Sequence, residues 1–181
     1  MIIRKLFKFE NAHIVRNCTS KRCKYNIHGH SYKVEVILSS NYLDNGQMVY
    51  DFGLFKGAIK DFIDSFDHSI ALWGGDDKEY LKDMKKHSAR WVELPVSPSA
   101  EQFSRVIFLA VEAILKKLEY KNGEKEVKVH SIKVHETDTG YAECFYEDAH
   151  SKLMGNIELK SIVFSPQVKK EWQSGNISQF F

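Results

Sequence analysis

No stretch of the 181 residues approaches the roughly 20 consecutive apolar residues of a membrane span, so none is predicted. Cysteine is sparse. Its three copies are an odd count, which argues against a disulfide framework and for a reducing, cytoplasmic setting. The opening MIIRKLFKFEN carries charges inside its apolar stretch and is not expected to act as a secretory leader. Proline also occurs only three times, with Pro95 and Pro98 bracketing a single junction. No internal repeat or low-complexity segment is present, and the length suits one domain, or one domain plus a tail. Charge of one sign is lacking too. Lys and Arg total 26 against 24 Asp and Glu, a balance that gives no argument for nucleic acid or an anionic membrane as partner. What remains is 43% hydrophobic and 28% charged residues, enough for a packed core, and eight histidines.

Residues 2–10 alternate, with Phe7 and Phe9 opposed to Lys8 and Glu10, and predict a half-buried strand. Residues 30–38 alternate in the same way through Tyr32, Val34, Val36 and Leu38. The polar, basic segment 14–27 between them reads as a loop, and Asp44-Asn45-Gly46 as a turn. From Phe52 the period changes: Phe52, Phe55, Ile59, Phe62, Ile63 and Phe66 recur at helical steps. Residues 76–86 predict a short surface helix. Ser99 with Gln102 opens a second long helix through Phe103, Ile107, Ala110, Ile114 and Leu118, ending by Asn122-Gly123. Residues 127–136 and 141–146 read as a closing strand pair. The expectation is an α+β fold, an antiparallel four-stranded sheet with two helices on one face. Residues 148–181 follow a domain of residues 1–147. Their Phe164, Trp172, Phe180 and Phe181 are too apolar for a free tail and predict docking, and Ile157 to Phe164 offers a further strand.

The histidines carry most of the functional signal. His28 and His30 share one strand face, with the parity of Tyr32 and Val34. His13 has the parity of Phe7 and Phe9 if the first strand runs that far. Three neutral imidazoles with an open fourth position make a catalytic zinc arrangement, although the pattern by itself also fits ordinary hydrogen-bonded histidines. A structural site from Cys18, Cys23, His28 and His30 is the weaker alternative, since its spacing matches no usual finger. Cys23 lies among Arg16, Lys21, Arg22 and Lys24, with no acid between Asn11 and Lys33. Positive neighbours and a nearby metal stabilise a thiolate, which makes a nucleophile or base, and a basic loop there suits a phosphorylated substrate, although the same pattern also fits an ordinary thiol on a solvated loop. Asp67-His68, read as following the first helix directly, offers a proton shuttle or simply a capping histidine. Glu136 shares the parity of Ile132 and Val134, where a carboxylate needs a partner such as the donor edge of a guanidine-like heterocycle, or else reaches solvent at the strand end. His87, His130, His135 and His150 read as structural or surface residues.

Taken together, Phe7-x-Phe9-x-x-Ala12-His13, Cys23 and His28-Gly29-His30-Ser31-Tyr32 resemble the 6-pyruvoyltetrahydropterin synthase and 6-carboxytetrahydropterin synthase family. The likeness continues in order through Met48-Val49-Tyr50-Asp51-Phe52, Phe66-Asp67-His68-x-x-x-Leu72, Pro98-Ser99-Ala100-Glu101 and Val134-His135-Glu136-Thr137. The resemblance implies a tunnelling fold whose sheets close into a barrel by oligomerisation, as a homotrimer or homohexamer. It implies zinc held by His13, His28 and His30, a proton acceptor at Cys23, and a relay of Asp67 and His68 from a neighbouring subunit. Glu136 would anchor the pterin ring and join the relay. The implied substrate is 7,8-dihydroneopterin triphosphate. Asp51-Phe52 leans toward the carboxy-forming branch, which feeds queuosine (7-deazapurine) synthesis, with the pyruvoyl-forming branch as the alternative. Neither nucleic acid nor a membrane is expected as a partner. The competing reading from another class is a non-catalytic zinc-stabilised module binding RNA through Arg16, Lys21, Arg22 and Lys24. Cys18 is the alternative thiol.

Overall fold

The computed structural model describes residues 1–175 and 177–181. Two strands, β1 (Ile2–His13) and β2 (His28–Ser39), form a long antiparallel hairpin in unbroken register from Ile2 opposite Ser39 to His13 opposite His28. Paired residues share a face, so Phe9 meets Tyr32 and Asn11 meets His30 on the side where Val34, Val36 and Leu38 are fully buried. Both strands extend beyond the alternating runs that predicted them, and the first reaches His13.

Behind the hairpin the chain forms β3 (Ser69–Trp73), β4 (Trp91–Leu94), β5 (Lys128–His135), β6 (Tyr141–Cys144) and the two-residue β7 (Val163–Phe164). The sheet therefore has seven strands, in the order β6-β5-β2-β1-β3-β4-β7, and not four. The four expected strands are antiparallel neighbours, but β3 joins β1 in parallel, β4 joins β3 in parallel, and β7 closes that side antiparallel to β4. The additional strands had little pattern to show. Ser69 to Leu72 are all buried, so β3 does not alternate, and β4 and β7 are too short to establish a period.

The basic 14–27 segment contains a one-turn helix, α1 (Lys21–Tyr25). The helix expected from Phe52 is broken at Gly57 into a 3₁₀ turn, Phe52–Lys56, and α2 (Ala58–Asp64), leaving Phe66 in the turn beyond. Helix α3 (Lys78–His87) lies where a surface helix was expected, and α4 (Ala100–Lys117) starts at Ser99, whose side chain accepts from the Gln102 N–H. It ends at Lys117, capped by Leu118, before Asn122-Gly123. Helices α2 and α4 cover the apolar face of the sheet. Phe9 stacks on Tyr32 at 4.9 Å, and Phe66 and Phe103 close around them at 5.3–5.7 Å.

Residues 148–181 fold back onto this core through α5 (Tyr146–Ala149) and α6 (Pro166–Glu171). Arg105 on α4 is buried and donates to the carbonyls of Asp148, Ala149, Ser151, Met154 and Gly155. Phe181 stacks on Phe62 at 4.9 Å. The tail docks, as its aromatic residues predict. Among the described residues no helix is long and apolar enough to cross a membrane.

Candidate active site

The hairpin end gathers the three histidines. His13 is the last residue of β1, and His28, directly opposite, is the first of β2. His30 follows on the same face. One ring nitrogen from each lies within 4.8 Å of the others, a set able to hold a metal ion. Neither Cys18 nor Cys23 belongs to this set among the described residues, which speaks against the cysteine-closed alternative. His13 Nδ1 contacts the Pro98 carbonyl at 2.6 Å, and His28 Nδ1 the Asn26 carbonyl at 3.0 Å. A carbonyl only accepts, so each Nδ1 carries the proton and each Nε2 presents a lone pair. Those two Nε2 atoms stand 3.1 Å apart. Burial, then the neighbouring imidazole of His28, pulls the His13 pKa below its ordinary value, against the Pro98 hydrogen bond and Glu136, which raise it. Two imidazoles oriented by carbonyls, with His30 beside them, form a donor set that fits a zinc ion.

Glu136, immediately after β5, turns its Oε1 toward this group, 3.7 Å from His13 Nε2 and 3.9 Å from His30 Nε2. The Tyr32 hydroxyl donates to the same oxygen at 3.2 Å. Tyr32 is fully buried, and burial followed by the charge of Glu136 raises its pKa far above the ordinary phenol value, so it remains a donor. Sequence pattern does not disclose this role, because a tyrosine on an apolar face reads as core. The Pro98 carbonyl belongs to the backbone and leaves no signal.

A cleft of about 430 Å³ opens beside the histidines, lined by Cys18, Cys23, His28, Glu101 and Glu136 among others. Cys23 sits on α1 and is half-buried, while the Cys18 thiol donates to the Ser20 carbonyl at 3.2 Å. Arg16 braces this segment. Its Nε meets both Asp76 oxygens at 2.9 and 3.1 Å, and its Nη1 reaches the Lys24 carbonyl at 3.2 Å. Arg16 is thus a strut, and the RNA-binding alternative loses one of its four cations to an internal ion pair.

Asp67 and His68 do not enter the cleft. Helix α2 ends at Asp64, so His68 lies beyond the helix terminus and owes nothing to it, contrary to the expectation from sequence. The His68 side chain is 77% exposed, with Nδ1 2.9 Å from Asp67 Oδ2. It borders a second, more open depression with Glu10, Gly29 and Ser31, which reaches His30 of the histidine centre from the other side. Burial alone would raise the Asp67 pKa, but the Glu10 N–H at 2.8 Å and the His68 contact hold its carboxyl below the usual range. Of the other histidines, His135 pairs with Glu35 at 2.8 Å and His150 with Glu112 at 3.2 Å.

Fold and site together define an α+β protein with a three-histidine, metal-competent centre at the end of a long hairpin. The chain belongs to the 6-pyruvoyl tetrahydropterin synthase family, whose model matches residues 2–147. It is 40% identical over 178 residues to a protein of Helicobacter pylori (strain J99) named 6-carboxy-5,6,7,8-tetrahydropterin synthase, covering 95% of this chain and 86% of that one. A protein of the same name from Aquifex aeolicus is 34% identical over 158 residues, covering 78% and 95% respectively. A solved structure of an uncharacterized protein from Wolinella succinogenes shares the fold, with a TM-score of 0.64 at 21% identity, over 81% of this chain and 98% of that one.

Proposed function

We propose that this protein is a zinc-dependent 6-carboxy-5,6,7,8-tetrahydropterin synthase, a lyase converting 7,8-dihydroneopterin triphosphate in the cytoplasm for queuosine synthesis. The observation that carries the reading is the convergence of three imidazole nitrogens with Glu136 beside a thiol-lined cleft. The names of the relatives favour the carboxy product over the pyruvoyl one.

His13, His28 and His30 would hold the zinc, which when bound supplies Lewis-acid polarisation of the substrate's side-chain oxygens. Glu136, held by Tyr32, accepts hydrogen bonds from the pterin donor edge and orients the ring in the cleft. Cys23 takes a proton from the side chain on that face. His68, oriented through Nδ1 by Asp67, exchanges the second proton. Lys21, Arg22 and Lys24, on the one-turn helix that carries the cleft residue Cys23, would attract the triphosphate.

The Asp67–His68 pair, with His68 exposed and outside the cleft that Cys23 and Glu136 line, supports a relay that serves a neighbouring subunit. Two strand edges support the assembly. Pairing of β1 with β3 is confined to Asn11 and Ala12, so Ile2–Glu10 have no ladder partner on that side among the described residues, and β6 forms the opposite edge. A homotrimer or homohexamer closes the barrel by joining these edges. Residues 1–147 would form the synthase unit and 148–181 an added extension. Incubation of the zinc-loaded protein with 7,8-dihydroneopterin triphosphate, followed by product analysis, tests the reading. Formation of the 6-carboxy product is expected. Release of 6-pyruvoyltetrahydropterin would assign the other branch, and an unchanged substrate would reject the activity.

A further inference from the structure

The turn bearing Asp67 and His68 adopts a backbone its sequence does not favour. His68 has φ 49°, in the left-handed region, which costs a non-glycine residue roughly 1–2 kcal/mol. Such a conformation persists only where its surroundings over-determine it. Here two side chains and one backbone group do so. Asn11 Nδ2 donates to the Phe66 and Ser69 carbonyls, both at 2.9 Å, and the Glu10 N–H reaches Asp67 Oδ1. Arg90, the residue before β4, donates Nε to the Asp67 carbonyl at 2.9 Å and Nη2 to the Asp64 carbonyl at 2.8 Å. The remaining arm of its fork, Nη1, is ion-paired with Glu171 at the end of α6. The chain then continues along the same turn. Trp172 Nε1 donates to Ser65 Oγ at 2.9 Å, and the Gln173 and Ser174 N–H groups donate to the buried Asp61 carboxylate at 3.1 and 2.6 Å.

We propose that Arg90 is a positioning residue for the Asp67–His68 pair and that Glu171, in the C-terminal extension, sets its guanidinium. This rests on the reading of His68 as a proton carrier. The guanidinium meets two carbonyls and one carboxylate at once, a planar three-way match that a lysine ammonium cannot reproduce. Arg90 grips the turn through the Asp67 and Asp64 carbonyls and leaves the His68 ring free. Asp67 holds His68 Nδ1, so the path of the backbone decides where Nε2 is aimed. The extension thereby acquires a part in turnover although it lies outside the segment matched by the family.

The test uses the full-length, zinc-loaded protein and a double-mutant cycle of Arg90→Lys with His68→Ala. Arg90→Lys is expected to lower kcat roughly tenfold with KM unchanged, a part of the roughly 100-fold that a misplacement of about 1 Å can cost. Added to His68→Ala, it should produce no further loss, because the group it positions is gone. Amide hydrogen exchange over residues 64–70 should rise in Arg90→Lys at unchanged zinc content. Glu171→Gln, at a half-exposed position, carries the same cycle if Arg90→Lys does not fold. A wild-type kcat in folded Arg90→Lys, or a second full loss on the His68→Ala background, overturns the proposal. Near-normal turnover in His68→Ala alone overturns the relay reading instead, so the two failures are distinguishable.

Discussion

Tyr32 and Glu136 are joined by a hydrogen bond of 3.2 Å that ties the floor of the core to the wall of the cleft. Tyr32→Phe removes this donor while keeping the ring packed against Phe9 and Phe103. The variant should lose only about 1 kcal/mol of stability. Glu136 becomes free to swing, so KM for the pterin substrate should rise while zinc content stays constant. Urea unfolding and steady-state kinetics on the same preparation check both halves.

The metal centre makes a compositional prediction. Purified protein should bind about one zinc per chain. His28→Ala should lose it, whereas Cys18→Ala and Cys23→Ala should retain it. Elemental analysis decides the matter, and full zinc retention in His28→Ala would reject the site.

The two proposed proton carriers should behave alike. Cys23→Ala and His68→Ala should be folded and zinc-loaded, yet slower in turnover by roughly 100-fold or more. Cys18→Ala should remain active. The reverse pattern between the cysteines would move the base to Cys18, which lines the same cleft.

Asp67 predicts a pH dependence of stability. Its folded pKa lies below the ordinary carboxylate value, so its contribution is complete above that value and disappears as pH falls through the folded pKa. Asp67→Asn should therefore be less stable than the natural protein near neutrality and nearly equal to it in strong acid. Chemical denaturation midpoints at the two extremes measure the difference. A gap that persists in acid would contradict this account.

Arg105 holds the extension through five backbone carbonyls, which its removal would leave unsatisfied. Arg105→Met should cost roughly 3 kcal/mol and open residues 148–155 to limited proteolysis. Unchanged protection of this segment would show that packing alone holds it.

The parts of the fold visible in the sequence are those with a long, unambiguous period. The hairpin alternates over most of its length and α4 begins at a capping serine, so strand parity puts His28 and His30 on one face and adds His13 once β1 is seen to reach it. Strands β3, β4 and β7 were hidden because burial on both sides or extreme shortness erases alternation. The helix expected to deliver Asp67 and His68 stops earlier than its apolar spacing suggests, since Phe66 is buried from a turn and not from a helical face. The partners that orient His13 and Glu136 come from residues 85 and 104 positions away from those they serve or touch, beyond the reach of local pattern.

The hairpin also builds the centre from contacts of very different chain separation. His13 and His28 are 15 residues apart, whereas the Pro98 carbonyl that fixes the His13 tautomer is 85 residues away. Closing the longer loop costs roughly 1.5 kcal/mol more in chain entropy, and non-local contacts of this kind form late in folding. Local closure is thus the cheaper step, and refolding is expected to gather His13 and His28 before the Pro98 carbonyl, which selects the nitrogen carrying the proton, arrives. A metal ion present during refolding would meet a nascent hairpin already able to grip it, and would favour the native register over a one-residue slip that sends His13 and His28 to opposite faces.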